Sequence, residues 1–214
     1  MEKGVQELIE RYRERRAEIK RRLLEFRQVW KEPDERIFAE LVFCFCTPQS
    51  NARLCDAAVT GMLRTGILFR GDSEMINKHL AGRVRFHNNK SRYIVEARKL
   101  FSRQGEISIK SKLMHNDPRR LREWLVQSVK GIGYKEASHF LRNIGMGESI
   151  AILDRHILKN LVRYDVIESV PKTLTRNRYL EIEEKMKAFS DRVGIPMAEL
   201  DLLFWSEETG GIFK

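Results

Sequence analysis

A lysine placed directly behind a Gly-x-Gly turn can hold a phosphate backbone and present a nucleophile in one place. That arrangement occurs in Lys130-Gly131-Ile132-Gly133-Tyr134-Lys135-Glu136-Ala137. A turn poor in side chains lets peptide N–H groups approach phosphate oxygens, and a helix that follows adds the positive end of its dipole. Such contacts hold a backbone without reading bases. Lys135 falls in the first turn of the following helix, where the dipole and partial burial both disfavour an ammonium. Both effects favour the neutral amine that a nucleophile requires. By itself, a Gly-x-Gly is most often an ordinary turn and the lysine a solvated charge, because short Gly motifs are common.

The second chemical group lies downstream. The apolar run Ile150-Ala151-Ile152-Leu153 ends at Asp154-Arg155-His156, after which Ile157, Leu158, Leu161 and Tyr164 return to helical spacing. Asp154 is therefore a natural N-cap at the mouth of a new helix. A purely structural cap is the alternative to a catalytic carboxylate.

The elements that must position these groups read as helices. Asp117-Pro118 is a helix start, with Asp as N-cap and Pro at the first helical position, and Leu121, Trp124, Leu125 and Val129 follow at helical spacing. Gly131 and Gly133 allow a tight reversal, and Ala137, Phe140, Leu141 and Ile144 form the next apolar stripe until Gly145 and Gly147 end it. The motif over about 118–145 is helix, hairpin, helix. Elsewhere, Val5 to Trp30 predicts one or two Arg-rich amphipathic helices, and Pro33-Asp34 a break. Ile37 to Cys46 predicts a buried helix, with further helices over 51–63, 74–80 and 90–101, the last two joined by the loop 83–90. A Gly-flanked loop is expected over 61–71. No strand alternation, repeat or low-complexity tract stands out, so the expected fold class is all-α.

Composition agrees with a polyanionic partner. Forty Lys plus Arg against thirty Asp plus Glu give a net charge of +10 over 214 residues, although ribosomal or membrane-surface binding would be equally basic. No segment approaches a membrane span and the N-terminus begins no signal peptide, so an intracellular, cytoplasmic protein is expected. Cys44, Cys46 and Cys55 sit among apolar residues and are expected as reduced core residues. Their spacing fits neither a zinc site nor a four-cysteine iron–sulfur cluster.

The Gly-Ile-Gly-Tyr-Lys-Glu-Ala hairpin followed by Asp154 resembles the signature of the helix-hairpin-helix superfamily of DNA base-excision glycosylases, and the lysine marks its bifunctional, lyase-competent branch. Phe43-Cys44-Phe45-Cys46-Thr47-Pro48-Gln49-Ser50 and the segment from Trp205 to Lys214 resemble its second family of 8-oxoguanine DNA glycosylases, the archaeal and bacterial type. The resemblance covers roughly Glu35 to Lys214. It implies two helical subdomains with the active site in the cleft between them. One comprises 1–46 plus 155–214, and the other, 47–154, carries the hairpin. It also implies a monomer acting on double-stranded DNA at the nucleoid, with no required cofactor and no iron–sulfur cluster.

The implied chemistry is a flipped base, attack of neutral Lys135 on the sugar C1′, a Schiff base, and β-elimination of the 3′ phosphate. Asp154 would stabilise positive charge on the sugar and assist proton transfer. Gln49 is similar to a glutamine that related glycosylases wedge into the stack, though an exposed residue at a helix start fits equally. His156 would contact a phosphate or be a surface histidine. Asp201 and Trp205, four apart on one helix flank, would accept guanine's N1 and N2 hydrogens and stack on the base, or else be a solvated Asp and a core Trp. The α-carboxylate of the terminal Lys214 would be a further acceptor, Phe86 the opposite stacking face, and the Pro33 carbonyl the acceptor for the N7 hydrogen of 8-oxoguanine. The main-chain carbonyls of Gln127, Val129 and Ile132 would hold a monovalent cation. Two rivals remain: a non-catalytic helix-hairpin-helix DNA-binding module, and a bifunctional glycosylase for oxidised pyrimidines.

Overall fold

A computed structural model describes residues 2–114 and 117–212. The protein is all-α, with eleven α-helices among the described residues. Two additions depart from the expected pattern: a minimal antiparallel β1–β2 ribbon, Ser102–Arg103 with Glu106–Ile107, and a single 3-10 turn at Lys110–Lys112. Two-residue strands are too short for alternation to register in a sequence.

The chain divides into two compact units. The first contains residues 1–28 and 141–214, the second 29–140. Both boundaries differ from those expected at 46/47 and 154/155. The helix at 34–46 packs with its central neighbours, and residues 141–154 belong with the terminal segments.

In the terminal unit, Val5 to Trp30 forms one helix, α1 (Glu2–Val29). Its apolar side, with Leu8, Ile19, Leu23 and Phe26, is buried. Two long-range bonds fix it: Tyr12 Oη donates to Glu199 Oε2 at 2.6 Å, and an Arg11 guanidinium nitrogen donates to Tyr164 Oη at 2.7 Å. The remaining helices are α9 (Arg155–Arg163), α10 (Arg176–Val193) and α11 (Met197–Thr209). Tyr164 stacks between Phe189 and Phe204, with centroids at 5.7 and 5.5 Å, and so joins α9 to the other two.

The central unit is built on α2 (Asp34–Cys46), in which every residue from Ile37 to Cys46 is buried. Glu40 is tolerated there because Arg36 pairs with it at 2.7 Å. Against α2 pack α3 (Ala52–Arg64) and α6 (His87–Phe101), while α4 (Ile67–Arg70) and α5 (Ser73–Leu80) pack on α3 and α5 also on α6. The loop expected over 61–71 thus contains a short helix. Helix α6 starts three residues before the expected Lys90, taking His87 to Asn89 out of the expected loop. Phe38, Phe101 and Trp124 form a chain of edge-to-face rings that ties α7 (Pro118–Ser128) into this core. Helix α8 (Tyr134–Asn143) follows the hairpin.

The three cysteines are free and buried, and Cys55 Sγ donates to the Cys46 carbonyl at 3.3 Å. Burial pushes the Cys46 thiol far up and the Cys55 thiol up to about 11, so both are inert as thiolates at neutral pH. Among the described residues no helix is long and apolar enough to cross a membrane, and no three His, Cys, Asp or Glu side chains gather where they could hold a metal ion.

Candidate active site

The hairpin begins where α7 stops. Asp117 caps α7 by accepting from the N–H groups of Arg119 and Arg120, with Pro118 at the first helical position, as the sequence predicts. Of the two hairpin glycines only Gly131 takes a left-handed conformation, with φ at 87°. It is needed twice over, because a Cβ there would lie 2.3 Å from Cδ2 of the Tyr93 ring on α6. Gly133 has a different role. Its N–H donates to Glu136 Oε2 at 3.2 Å, the reach-back of a capping box at the start of α8.

Gly131→Ala is therefore expected to destabilise the protein by about 2 kcal/mol or more, from the left-handed penalty plus overpacking against Tyr93. Adding Tyr93→Ala should recover the packing part but not the conformational part. Urea unfolding of the two variants checks this; a Gly131→Ala protein as stable as the wild type would refute it.

Lys135 is the second residue of α8 and half-buried. Its ammonium is not alone beside the helix dipole. Nζ lies 3.0 Å from Glu136 Oε1, while the other carboxylate oxygen holds the Gly133 N–H. Glu136 therefore fixes both the turn and the position of the Lys135 ammonium. The sequence reading missed Glu136; its signal was the three-residue spacing from Gly133 that marks a capping box.

In the other unit, Asp154 caps α9, its Oδ1 accepting the Ile157 N–H at 2.8 Å. The extended run before it is anchored by two buried side chains of α10. Glu183 Oε2 accepts the Ala151 N–H at 2.7 Å. Tyr179 Oη donates to the Ala151 carbonyl at 2.7 Å and accepts the Leu153 N–H at 3.2 Å. These bonds satisfy peptide groups that a buried irregular strand would otherwise leave orphaned, and they set the position of the Asp154 carboxylate. His156 Nδ1 lies 3.4 Å from Glu208 Oε2.

On α11, Asp201 and Trp205 share a flank as their spacing requires, but Asp201 is not the solvated acid that was one alternative. It is buried, and a guanidinium nitrogen of Arg142 lies 3.0 Å from its Oδ2. Arg142 Nε also donates to Asn143 Oδ1 at 3.1 Å, and its guanidinium lies over the Phe26 ring at 4.9 Å. Burial drives the Asp201 carboxyl up to about 7, with nearby Asp154 adding to the rise and Arg142 opposing it. Trp205 is half-buried rather than sealed in the core.

The remaining candidates lie in the central unit or beyond the described chain. Gln49 is exposed in the turn between α2 and α3, at φ 57°. Phe86, also at φ 57° and 52% exposed, stands immediately before α6 with Arg85 over its ring at 5.1 Å. Gln49 and Phe86 thus both hold a backbone conformation that residues other than glycine rarely adopt. The Pro33 carbonyl serves as the first acceptor of α2, taking the N–H groups of Arg36 at 3.0 Å and Ile37 at 3.3 Å. Val129 O accepts the Ile132 N–H at 3.3 Å, and Gln127 lies in the last turn of α7. Lys214 falls outside the described residues.

The sequence profile of the 8-oxoguanine DNA glycosylase family matches residues 19–195, a span that includes the hairpin, Lys135 and Asp154. An 8-oxoguanine DNA glycosylase/AP lyase of Fusobacterium nucleatum is 48% identical over 206 residues, covering 95% of this chain and 94% of its own. One of Korarchaeum cryptofilum is 43% identical over 196 residues, 92% of this chain and 90% of its own. The crystal structure of the Methanocaldococcus jannaschii 8-oxoguanine DNA glycosylase superposes with a TM-score of 0.87 at 34% identity, over 98% of this chain and 95% of that one. The same enzyme in complex with a 15mer DNA containing 8-oxoguanine gives 0.85 at 34% identity, over 97% of this chain and 99% of that one. A lysine behind a glycine hairpin and an aspartate capping the helix beyond it thus sit within a profile match and a full-length structural likeness, and the chain belongs to the 8-oxoguanine DNA glycosylase family.

Proposed function

We propose that this protein is a bifunctional 8-oxoguanine DNA glycosylase and AP lyase, working in the cytoplasm on nucleoid DNA. The observation that carries the reading is Lys135, at the start of α8 behind the Gly131 turn, inside the span that matches the family. The hairpin N–H groups not already held by Glu136 and the Val129 carbonyl, together with the α8 dipole, would hold a backbone phosphate, while the net charge of +10 draws the duplex in. Neutral Lys135 then attacks C1′ of the flipped nucleotide. The N-glycosidic bond breaks, the electron pair leaves with the base, and ring opening gives a Schiff base. Loss of the C2′ proton expels the 3′ phosphate by β-elimination, and water releases the lysine.

Asp154 supplies the carboxylate that stabilises positive charge on the sugar, and the mechanism calls for it to act on the same nucleotide as Lys135. Asp201, Trp205 and Phe86 would read and stack the base, with the Pro33 carbonyl and the Lys214 carboxylate as further acceptors. Gln49 would fill the vacated stack, and Gly131, Gly133 and His156 would meet the backbone. A lysine amine and a carboxylate suffice for these steps. The carbonyls of Gln127, Val129 and Ile132 are the proposed seat of a monovalent cation at the hairpin.

Borohydride trapping on duplexes carrying 8-oxoguanine or an oxidised pyrimidine tests the reading. A covalent complex formed preferentially with 8-oxoguanine is expected. Preference for the pyrimidine lesion would favour the rival glycosylase, and no trapping with either would favour the binding module.

The cap and the chemistry of Asp154 can be separated, because asparagine caps a helix about as well as aspartate. Asp154→Asn should leave stability within about 0.5 kcal/mol and slow excision roughly 10²- to 10⁴-fold. Single-turnover excision beside urea unfolding checks it. An active Asp154→Asn enzyme would leave Asp154 with a structural role only.

A further inference from the structure

Lys90 is a buried cation on α6 with no part in the chemistry described above. Its Nζ donates at 3.0 Å to the Cys46 carbonyl, at the C-terminus of α2, and at 3.0 Å to the Pro48 carbonyl in the turn that follows. A lysine is about 7% exposed here, although ammonium groups are rarely buried without a carboxylate. Burial lowers its pKa from the ordinary lysine value, with Cys46 and Cys55 opposing the fall, Lys135 adding to it and Glu136 opposing it, so Lys90 also lies within electrostatic reach of the Lys135–Glu136 pair. Both acceptors are main-chain oxygens, so the ammonium reads the path of the backbone rather than a partner side chain. The first satisfies a carbonyl at the end of α2, where intrahelical partners run out. The second bends the chain one residue before Gln49, which projects exposed at φ 57°.

A second tether joins the same two segments. Ser50 Oγ accepts the Arg85 N–H at 2.9 Å and lies 3.4 Å from the Pro48 carbonyl it donates to. Phe86 follows Arg85 at φ 57° and leads into α6. Lys90 and Tyr93, three apart, share one face of α6, while Phe86 stands at its N-cap. From that face Lys90 holds the Gln49 turn, and Tyr93 packs against Gly131 of the hairpin. The turn that carries Gln49 is thus tied to the start of α6 at two points, by Lys90 from within the helix and by Arg85 from the residue before Phe86.

We propose that Lys90 is a positioning residue for base opening: its ammonium clamps the 47–50 turn to α6, so that Gln49 and Phe86 are presented to the duplex as one rigid unit. This rests on the proposed excision of a flipped base by this chain. A clamp of this kind matters when a stacked base must be displaced. It matters little when the base is already gone.

The test compares two substrates with the full-length protein in single turnover: a duplex carrying 8-oxoguanine and a duplex carrying a preformed abasic site. Lys90→Met keeps the length of the side chain and removes the clamp. Excision of 8-oxoguanine is expected to slow roughly 10- to 100-fold, and strand cleavage at the abasic site to stay within about 3-fold of wild type, the scale that a sub-ångström misplacement of a positioning group produces. A 2-aminopurine placed beside the lesion should lose its fluorescence rise in parallel. Because the clamp acts in part through Gln49, Lys90→Met should slow the Gln49→Ala enzyme by a smaller factor than it slows the wild type.

Equal slowing on both substrates, no slowing on either, or full additivity with Gln49→Ala would overturn the proposal. If Lys90→Met does not fold, Ser50→Ala cuts the other tether without touching a buried charge and must show the same split between substrates; an unaltered Ser50→Ala enzyme would overturn it too. Wild-type protein that neither excises 8-oxoguanine nor traps on it fails the functional reading itself, and the clamp falls with it. The wild-type arm therefore tells the two failures apart.

Discussion

Lys135→Gln is expected to abolish covalent trapping and strand cleavage, lowering single-turnover excision roughly 10⁴-fold or more, the scale seen when a nucleophile is removed from a unit that acts together. The fold should survive. Glutamine preserves most of the side-chain length, and the other oxygen of Glu136 stays on the Gly133 N–H at 3.2 Å, so the start of α8 keeps its capping box. The lost Lys135–Glu136 pair is partly exposed, and such pairs contribute about 0–1 kcal/mol. Binding to lesion DNA should persist, because the phosphate contacts assigned to the hairpin come from peptide N–H groups. Trapping gels beside a binding titration check the separation. Trapping that survives Lys135→Gln would move the nucleophile elsewhere, and loss of both binding and folding would show Lys135 to be structural.

The second large effect concerns the buried pair that joins α8 to α11 within the terminal unit. Arg142→Met leaves Asp201 buried without its guanidinium partner, which is expected to cost on the order of 3–5 kcal/mol near neutral pH and above. The pH dependence follows from Asp201 itself. Burial raises its folded-state carboxyl to about 7 from the ordinary 3.8. Between those values the folded chain keeps a proton that the unfolded chain gives up, so this group's contribution to stability declines as pH rises from about 4 through about 7.

Removing Arg142 also removes the cation that offsets the buried carboxylate. The Arg142→Met deficit should therefore be smallest near pH 4 to 5, where Asp201 can take up a proton, and largest at pH 8. Asp201→Asn should flatten the decline in the wild-type profile across the same window. Urea unfolding at pH 5 and pH 8 for the wild type and both variants measures this. An Arg142→Met deficit independent of pH would mean that Asp201 is not the group responding.

Because Asp201 is already engaged by Arg142, its proposed part in base recognition carries a geometric requirement. One oxygen faces the guanidinium at 3.0 Å, and only the remaining acceptor capacity is available to guanine's N–H donors. Arg142 thus orients the carboxylate as well as stabilising it. The carbonyl proposed at Pro33 is likewise already engaged, by two N–H groups of α2.

Local features of the site were legible from the sequence because their causes are local. The Asp117-Pro118 start, the Gly131 reversal, the Lys135 position and the Asp154 cap each depend on a few adjacent residues, through capping, positive φ and helical periodicity. So did the all-α class, which follows from apolar stripes at helical spacing. The unit boundaries were not legible in this way. The apolar run of α2 is compatible with either neighbourhood, and only its packing against α3 and α6 assigns it to the central unit.

What tertiary structure alone decided are the bonds between residues far apart in the chain. Arg142 and Asp201 are 59 residues apart, Lys90 and Pro48 42, and Glu183 and Ala151 32. Each places a charged side chain, which composition would assign to the surface, in the interior. Burial is affordable there only because a specific carbonyl, amide or guanidinium arrives from elsewhere to satisfy it. No sequence window contains both partners. The sequence by itself therefore determined which groups can do the chemistry, a lysine behind a glycine turn and an aspartate at a helix start, while the fold determined what holds each of them in place.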